Sequence, residues 1–133
     1  MDNPFDCMYM RNFDSIVISS GSHQAGLRCE TTSTTAFTSH LAEVFATLPR
    51  RLAECRPPGS APPTLIYVNS PAYFYPLRHH RLDCRTGPRL EYWNRLASEL
   101  ARSNGWSVVD SFAHTKPFAI DTGLTDGTHC LSS

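Results

Sequence analysis

Three short apolar runs, separated by two stretches with helical spacing, set the tightest limit on how this chain can fold. The runs cover residues 15–19, 64–69 and 106–110, and polar residues follow the first two directly. Short apolar runs of this kind are typical of strands that are covered on both faces. Strands that alternate with helices join into parallel sheets through right-handed crossovers. The pattern therefore predicts an α/β fold with a short parallel sheet.

The first helix is predicted between the first two strands. Ser33 or Thr34 can cap its start, and Pro49 is expected to kink or end it because proline lacks the backbone N–H. The proline-rich segment 56–63 then predicts a loop. The apolar residues of the helix recur at intervals of three and four and form one face: Phe37, Leu41, Val44, Phe45, Leu48 and Leu52.

The second helix is predicted between the second and third strands. Thr86 and Pro88 mark its start and Gly105 its end, since proline is favoured early in a helix and glycine just past its end. The inward face consists of Leu90, Trp93, Leu96, Ala97 and Leu100. Two crossover helices on one face would leave the other face of the sheet bare. We therefore expect residues 1–133 to be a single, incomplete domain with part of a three-layer α/β/α architecture.

The composition excludes several classes of function. Lysine plus arginine total 12, as do aspartate plus glutamate, so the chain lacks the basic surface of a nucleic-acid-binding protein. No apolar run is long enough to span a bilayer. The sequence has no glycine-rich phosphate loop, and no histidine pair at metal-ligand spacing, so no cofactor and no metal are expected. The five cysteines form no Cys-x-x-Cys pair; five reduced thiols, or two disulfides and one thiol, both fit.

Polar clusters follow the predicted strands, where α/β folds place their sites. They cover residues 19–24, residues 69–71 and residues 126–129. In the last cluster Asp126 precedes His129 by three residues, so its carboxylate can orient the imidazole to accept a proton from a hydroxyl nucleophile. On spacing alone, a solvated turn and an ordinary strand-to-helix loop explain these clusters at least as well.

Taken together and in order, the clusters resemble the SGNH/GDSL hydrolase superfamily. They are most similar to the PC-esterase-type domains of polysaccharide O-acetyltransferases. Residues 14–25 resemble the central block of that family, and residues 81–86 resemble the lead into its penultimate helix. Residues 108–110 with 126–129 resemble its last strand and Asp-x-x-His block.

The resemblance implies a role for each matching residue. His129 would be the general base and then the general acid of a Ser-His-Asp triad, Asp126 would orient its imidazole, and Gly21 would be the glycine of the oxyanion loop. Ser19 stands where the family has an asparagine that donates to the oxyanion, and its hydroxyl is shorter. No residues before Asp14 match the Gly-Asp-Ser block that carries the nucleophile of the family.

Two functions follow as expectations, and a third is kept open. The first is an ester hydrolase or O-acetyl transferase acting on carbohydrate esters, with its nucleophile outside this sequence. The second is a non-catalytic module that binds glycans, with His23, Asn69 and Tyr73 at the rim of the site in either case. The third has Ser20 or Ser22 as the nucleophile.

The cysteine count and the family resemblance together favour the secretory pathway or the Golgi lumen as the location of the protein. A bond between Cys84 and Cys130 would pin the tail to the start of the second helix. The spacing of the cysteines leaves their pairing open.

Overall fold

The computed structural model describes residues 7–21, 33–72 and 86–120, and strands alternate with helices through these ranges. The elements are α1 (Cys7–Met10), β1 (Ser15–Ser19), α2 (Thr34–Cys55), β2 (Thr64–Val68), α3 (Gly87–Ser103), β3 (Ser107–Val109) and α4 (Ser111–Ile120). All three predicted strands and both predicted helices are present.

The strands form one parallel sheet in the order β1-β2-β3. Ser19 lies opposite Val68, and Val68 lies opposite Val109, so the carboxyl ends of all three strands reach the same edge. The predicted α/β fold with a short parallel sheet is therefore confirmed.

The main core lies between the sheet and the two long helices. Tyr67, in the central strand, is fully buried, and the ring of Phe45 from α2 meets its ring edge-on with 5.1 Å between centroids. Phe37 of α2 stacks on Trp93 of α3 with centroids 4.4 Å apart, which joins the two helices. Aromatic pairs of this kind add to the free energy gained by burial alone.

The opposite face of the sheet is much more exposed. The side chain of Val17 in β1 is 59% exposed and that of Val109 in β3 is 50% exposed, whereas Ile16, Ile18 and Val108 pack against the core. This contrast fits the expectation that the two crossover helices cover one face only. Within the described ranges, no helix is long and apolar enough to cross a membrane.

Helix α2 begins as predicted but does not end at Pro49. The Ser33 hydroxyl accepts a hydrogen bond from the Ala36 N–H and caps the start. The helix continues through Pro49 to Cys55, so of the two expected effects of this proline the end of the helix is wrong, and the kink stays a prediction. Pro49 has no N–H for the Phe45 carbonyl one turn earlier. The indole Nε1 of Trp106 donates to that carbonyl at 3.0 Å, so the buried oxygen is satisfied from outside the helix.

The Trp106 indole takes the place of the helix N–H that Pro49 lacks. The effects on stability of substitutions at Trp106 and at Pro49 are therefore expected to depend on each other. Trp106→Phe leaves the buried Phe45 carbonyl without its donor and is expected to lower the free energy of unfolding by about 1–3 kcal/mol. In a Pro49→Ala background, the new N–H of residue 49 can satisfy the same carbonyl. The cost of Trp106→Phe measured by urea unfolding is then expected to be smaller by about 1 kcal/mol. An equal cost in both backgrounds would show that the indole bond is not what keeps the helix intact at Pro49.

Helix α1 is a short element that the sequence pattern did not predict. A disulfide joins Cys7 of this helix to Cys55 at the end of α2, with an S–S distance of 2.02 Å. Met10 is 1% exposed and belongs to the core. The disulfide therefore holds α1 against the helical layer and excludes the interpretation in which all five cysteines are reduced. Cys84 and Cys130, the pair considered from the sequence, lie outside the described residues.

Helix α4 was also missed. Its apolar residues do not recur at helical spacing, and Pro117 lies within it. One signal was present, because Asp110 precedes the helix and its Oδ1 accepts a hydrogen bond from the Ala113 N–H at 3.0 Å. Aspartate is among the residues preferred at this capping position.

Candidate functional site

The carboxyl ends of the three strands bring together three short polar segments. Ser20 and Gly21 follow β1, Asn69 and Ser70 follow β2, and Asp110 follows β3. Hydrogen bonds run between the first and second of these segments and between the second and third. The edge is therefore one connected structure in which each strand end positions the next.

The end of β1 is fastened to β2 through the Ser20 carbonyl. The hydroxyl of Ser70 donates to this oxygen at 3.0 Å, and the phenol of Tyr67 donates to it at 3.3 Å. Burial raises the pKa of Tyr67 above its usual value, so the phenol keeps the proton that it donates.

Gly21 is placed where a side chain does not fit. Its φ is +117°, a backbone conformation that L residues rarely adopt. A Cβ built on Gly21 would lie 2.7 Å from the Ser70 hydroxyl oxygen. Glycine is therefore required here by both the backbone angle and the close approach of Ser70.

The end of β2 is fixed by Asn94 of α3. The Asn94 side chain accepts from the Ser70 N–H at 3.0 Å and donates to the Ser70 carbonyl at 2.8 Å. Ser70 is 1% exposed and Asn94 is 5% exposed, so these bonds are shielded from water. Sequence reasoning missed Asn94. The available signal was a polar residue next to Trp93 on the buried face of an amphipathic helix.

The end of β3 is fixed by Asn69. Its Nδ2 donates to Asp110 Oδ1 at 2.9 Å, and its Oδ1 accepts from the Phe112 N–H at 2.9 Å. Asn69 is 3% exposed, and these bonds give it a structural task in joining β2 to the start of α4. Its predicted place at a substrate rim stays a prediction.

The carboxyl of Asp110 is held in its ionised form. The hydrogen bond from Asn69 lowers its pKa below the usual value, and the bond from the Ala113 N–H and the charge of Arg102 act in the same direction. A lowered pKa in the folded state means that ionisation favours folding. This contribution is complete above the ordinary aspartate pKa of about 3.9 and is lost as the pH falls through the lowered value.

The free energy of unfolding should therefore decrease with acid partly through Asp110. We expect Asp110→Asn, which can still cap α4, to make this decrease less steep below about pH 4. Chemical denaturation across that pH range measures the slope. The same slope in Asp110→Asn and in the unsubstituted protein would contradict the hydrogen-bond assignment. Asp14→Asn, at an exposed aspartate directly before β1, serves as the control.

The structure places only part of the predicted site. Gly21 is buried at the strand edge, next to Ser70. Ser19 is exposed, and strand alternation puts its side chain on the same face as Val17, away from the helices. Asp126, His129, His23 and Tyr73 lie outside the described residues. Within those residues, no three His, Cys, Asp or Glu side chains come close enough to hold a metal ion.

Two cavities flank the sheet in the described structure. A polar cavity of about 740 Å³ lies beside the strand edge and is lined by residues including Asn69, Asp110 and Lys116. Among the lining residues, the ammonium of Lys116 is 3.4 Å from a carboxylate oxygen of Glu91, at an exposed position where such a pair adds little stability. The other cavity is an apolar groove of about 680 Å³ between β1 and α2.

A solved structure has a similar arrangement of strands and helices. It is the crystal structure of the lipase/acylhydrolase from Enterococcus faecalis, which aligns with 88% of this chain at a TM-score of 0.53 and 20% sequence identity. The chain shares its α/β fold with that protein. It spans only 52% of the length of the acylhydrolase. No family model matches the sequence, and no curated protein matches it significantly.

Proposed function

We propose that this chain forms part of an SGNH-type ester hydrolase or O-acyl transferase that acts on carbohydrate esters. The observation that carries the proposal is the connected polar edge at the carboxyl ends of β1, β2 and β3, in a fold shared with a lipase/acylhydrolase. In α/β folds this edge is where ligands bind. The family resemblance of residues 14–25 and 126–129 supplies the kind of reaction.

The proposed chemistry is acyl transfer through a hydroxyl nucleophile. His129 takes the proton of that hydroxyl as its oxygen attacks the ester carbonyl, and Asp126 orients the imidazole. His129 then gives the proton to the departing sugar oxygen as the ester bond breaks. In a hydrolase, water attacks the acyl group next; in a transferase, a second sugar hydroxyl does so. No cofactor takes part.

The loop after β1 is the proposed oxyanion site. The tetrahedral intermediate carries a negative oxygen, which backbone and side-chain donors stabilise. Gly21 allows the tight turn of this loop, and Ser19 occupies the place of the family asparagine. Because a serine hydroxyl reaches less far, turnover is expected to be lower than with asparagine; loss of one donor costs about 100- to 1,000-fold.

The nucleophile is proposed to lie outside residues 1–133. The chain covers half the length of the acylhydrolase with the similar fold, so another segment or chain can supply it. Ser20 is a poor candidate because its Oγ is buried from solvent. Because the nucleophile is proposed to lie elsewhere, Ser22→Ala should leave ester turnover unchanged. A drop of 100-fold or more, of the order expected for a lost nucleophile, would instead place the nucleophile in this loop.

The second candidate is a module that binds glycans without cleaving them. It is favoured by Ser19, which replaces an oxyanion donor, and by the lack of a Gly-Asp-Ser match before Asp14. His23 and Tyr73 would then act as contacts with the sugar.

Acetate release distinguishes the two functions. The longest native form of the protein would be incubated with O-acetylated oligosaccharides, with the same sugars lacking acetyl groups as the control for binding. Release of acetate supports the ester hydrolase, and transfer of the acetyl group to an added sugar supports the transferase. Binding of both sugars with equal affinity and no loss of acetyl groups would support the glycan-binding module and overturn the proposed reaction.

A further inference from the structure

The peptide that joins Ser20 to Gly21 is held by two side chains from the central strand region. Tyr67 and Ser70 lie three residues apart, and both hydroxyls donate to the Ser20 carbonyl. Tyr67 is 0% exposed and Ser70 is 1% exposed. Two buried donors on a single carbonyl oxygen hold the peptide in one orientation, because any rotation would leave polar groups unpaired.

The two donors are themselves fixed. The ring of Tyr67 is packed edge-on against Phe45 in the core. Both backbone polar groups of Ser70 bond to the side chain of Asn94. The orientation of the Ser20–Gly21 peptide is therefore set by the rigid centre of the fold, through β2 and α3, and not by the loop alone.

The orientation of the Ser20 carbonyl also determines the direction of the Gly21 N–H. In a trans peptide the N–H points opposite to the C=O. Because the Ser20 carbonyl is directed at Tyr67 and Ser70, the Gly21 N–H is directed away from them. The absent side chain of Gly21 permits this geometry, since a Cβ would come within 2.7 Å of the Ser70 oxygen.

We propose that Ser70 and Tyr67 are positioning residues: their hydroxyls hold the Ser20–Gly21 peptide and so fix the oxyanion loop for acyl transfer. The proposal has a structural half, that the two hydroxyls hold the peptide, and a catalytic half, that the held peptide fixes the loop for acyl transfer. The catalytic half rests on the proposed function. Neither residue touches the substrate in this assignment. Loss of either hydroxyl therefore lowers kcat and leaves KM unchanged, since the loop acts on the transition state and not on sugar binding.

Two substitutions remove the hydroxyls with little change of shape. Tyr67→Phe keeps the ring in the core, and Ser70→Ala keeps the backbone bonds to Asn94. Each is expected to lower kcat for acetate release by about 10- to 100-fold through misplacement of the loop. Because both act on one carbonyl, the double variant is expected to lose less than the product of the two effects. Tyr92→Phe and Ser103→Ala, on the exposed side of α3, are the matched controls.

A spectroscopic readout tests the peptide without any turnover. The carbonyl carbon of Ser20 and the amide nitrogen of Gly21 report hydrogen bonding at this peptide in NMR spectra of the labelled protein. Both signals should move in Tyr67→Phe and in Ser70→Ala and stay in place in the two controls.

Each combination of the NMR and kinetic results either supports or overturns the inference. Moved signals with a lower kcat and constant KM support it. Unmoved signals overturn it, whatever the activity. Moved signals with unchanged kcat overturn the positioning role. If the unsubstituted protein releases no acetate, the proposed function fails, the catalytic half is overturned with it, and the Ser20 carbonyl signal alone decides whether the two hydroxyls hold the peptide.

Discussion

Replacing His129 by alanine is expected to lower ester turnover by about 100- to 10,000-fold, the range that general base catalysis contributes. In the proposed mechanism the imidazole takes the proton of the nucleophile and returns it to the leaving oxygen, and the variant lacks this group. The measurement is kcat for acetate release by the longest native form of the protein. His40→Ala, at an exposed position of α2, controls for the loss of a histidine as such.

Asp126→Asn provides the matched test of the orienting role. The amide keeps the size of the side chain but cannot hold the imidazole in the required tautomer, and in a serine protease the same change lowers kcat by about 10,000-fold. Because the pair acts as a unit, the double variant should be little worse than His129→Ala. Turnover of either single variant within twofold of the unsubstituted protein would remove the triad assignment.

The largest effect on stability is expected from the disulfide between Cys7 and Cys55. These residues are separated by 48 positions, and a bond that closes a loop of this length stabilises the fold by up to about 4 kcal/mol through the entropy of the unfolded chain. The bond also holds α1 in place, and with it the buried Met10. We expect Cys7→Ser to lower the free energy of unfolding by about 2–4 kcal/mol.

The matched control is Cys55→Ser, which breaks the same bond from the other side. The two single variants and the double variant should unfold at similar denaturant concentrations, because only one bond is lost in each. A reductant should lower the midpoint of the unsubstituted protein by more than that of the double variant, which has already lost this bond. Equal midpoints for the double variant and the oxidised protein would show that the bond does not stabilise the fold.

The three strands and the two long helices could be predicted because local patterns determine them. The apolar run at Ser15–Ser19 is a strand with the predicted ends, and Ser33 and Thr86 cap the helices that they were expected to start. The end of α2 could not be predicted in this way. Whether Pro49 stops a helix depends on a donor for the Phe45 carbonyl, and that donor is Trp106, distant in sequence.

The candidate site, like the fold, could be predicted only in part from the sequence. Gly21 was singled out through the family resemblance, since spacing alone favoured an ordinary loop, and the strand ends met as expected. The partners that hold the cluster together could not be inferred from spacing. Asn94 comes from a helix and Tyr67 from the interior of a strand, and their tasks appear only when the chain is folded.

The central claim is that the carboxyl edge of this sheet binds an ester, and an NMR titration tests it most directly. Mono-O-acetylated glucose would be added to the isotopically labelled protein, with glucose as the control. We predict that the acetylated sugar selectively shifts the amide signals of Ser19–Gly21, Ser70 and His129. Selective shifts along the apolar groove between β1 and α2, at Val44 and Leu48, or identical shifts with glucose, would contradict the account.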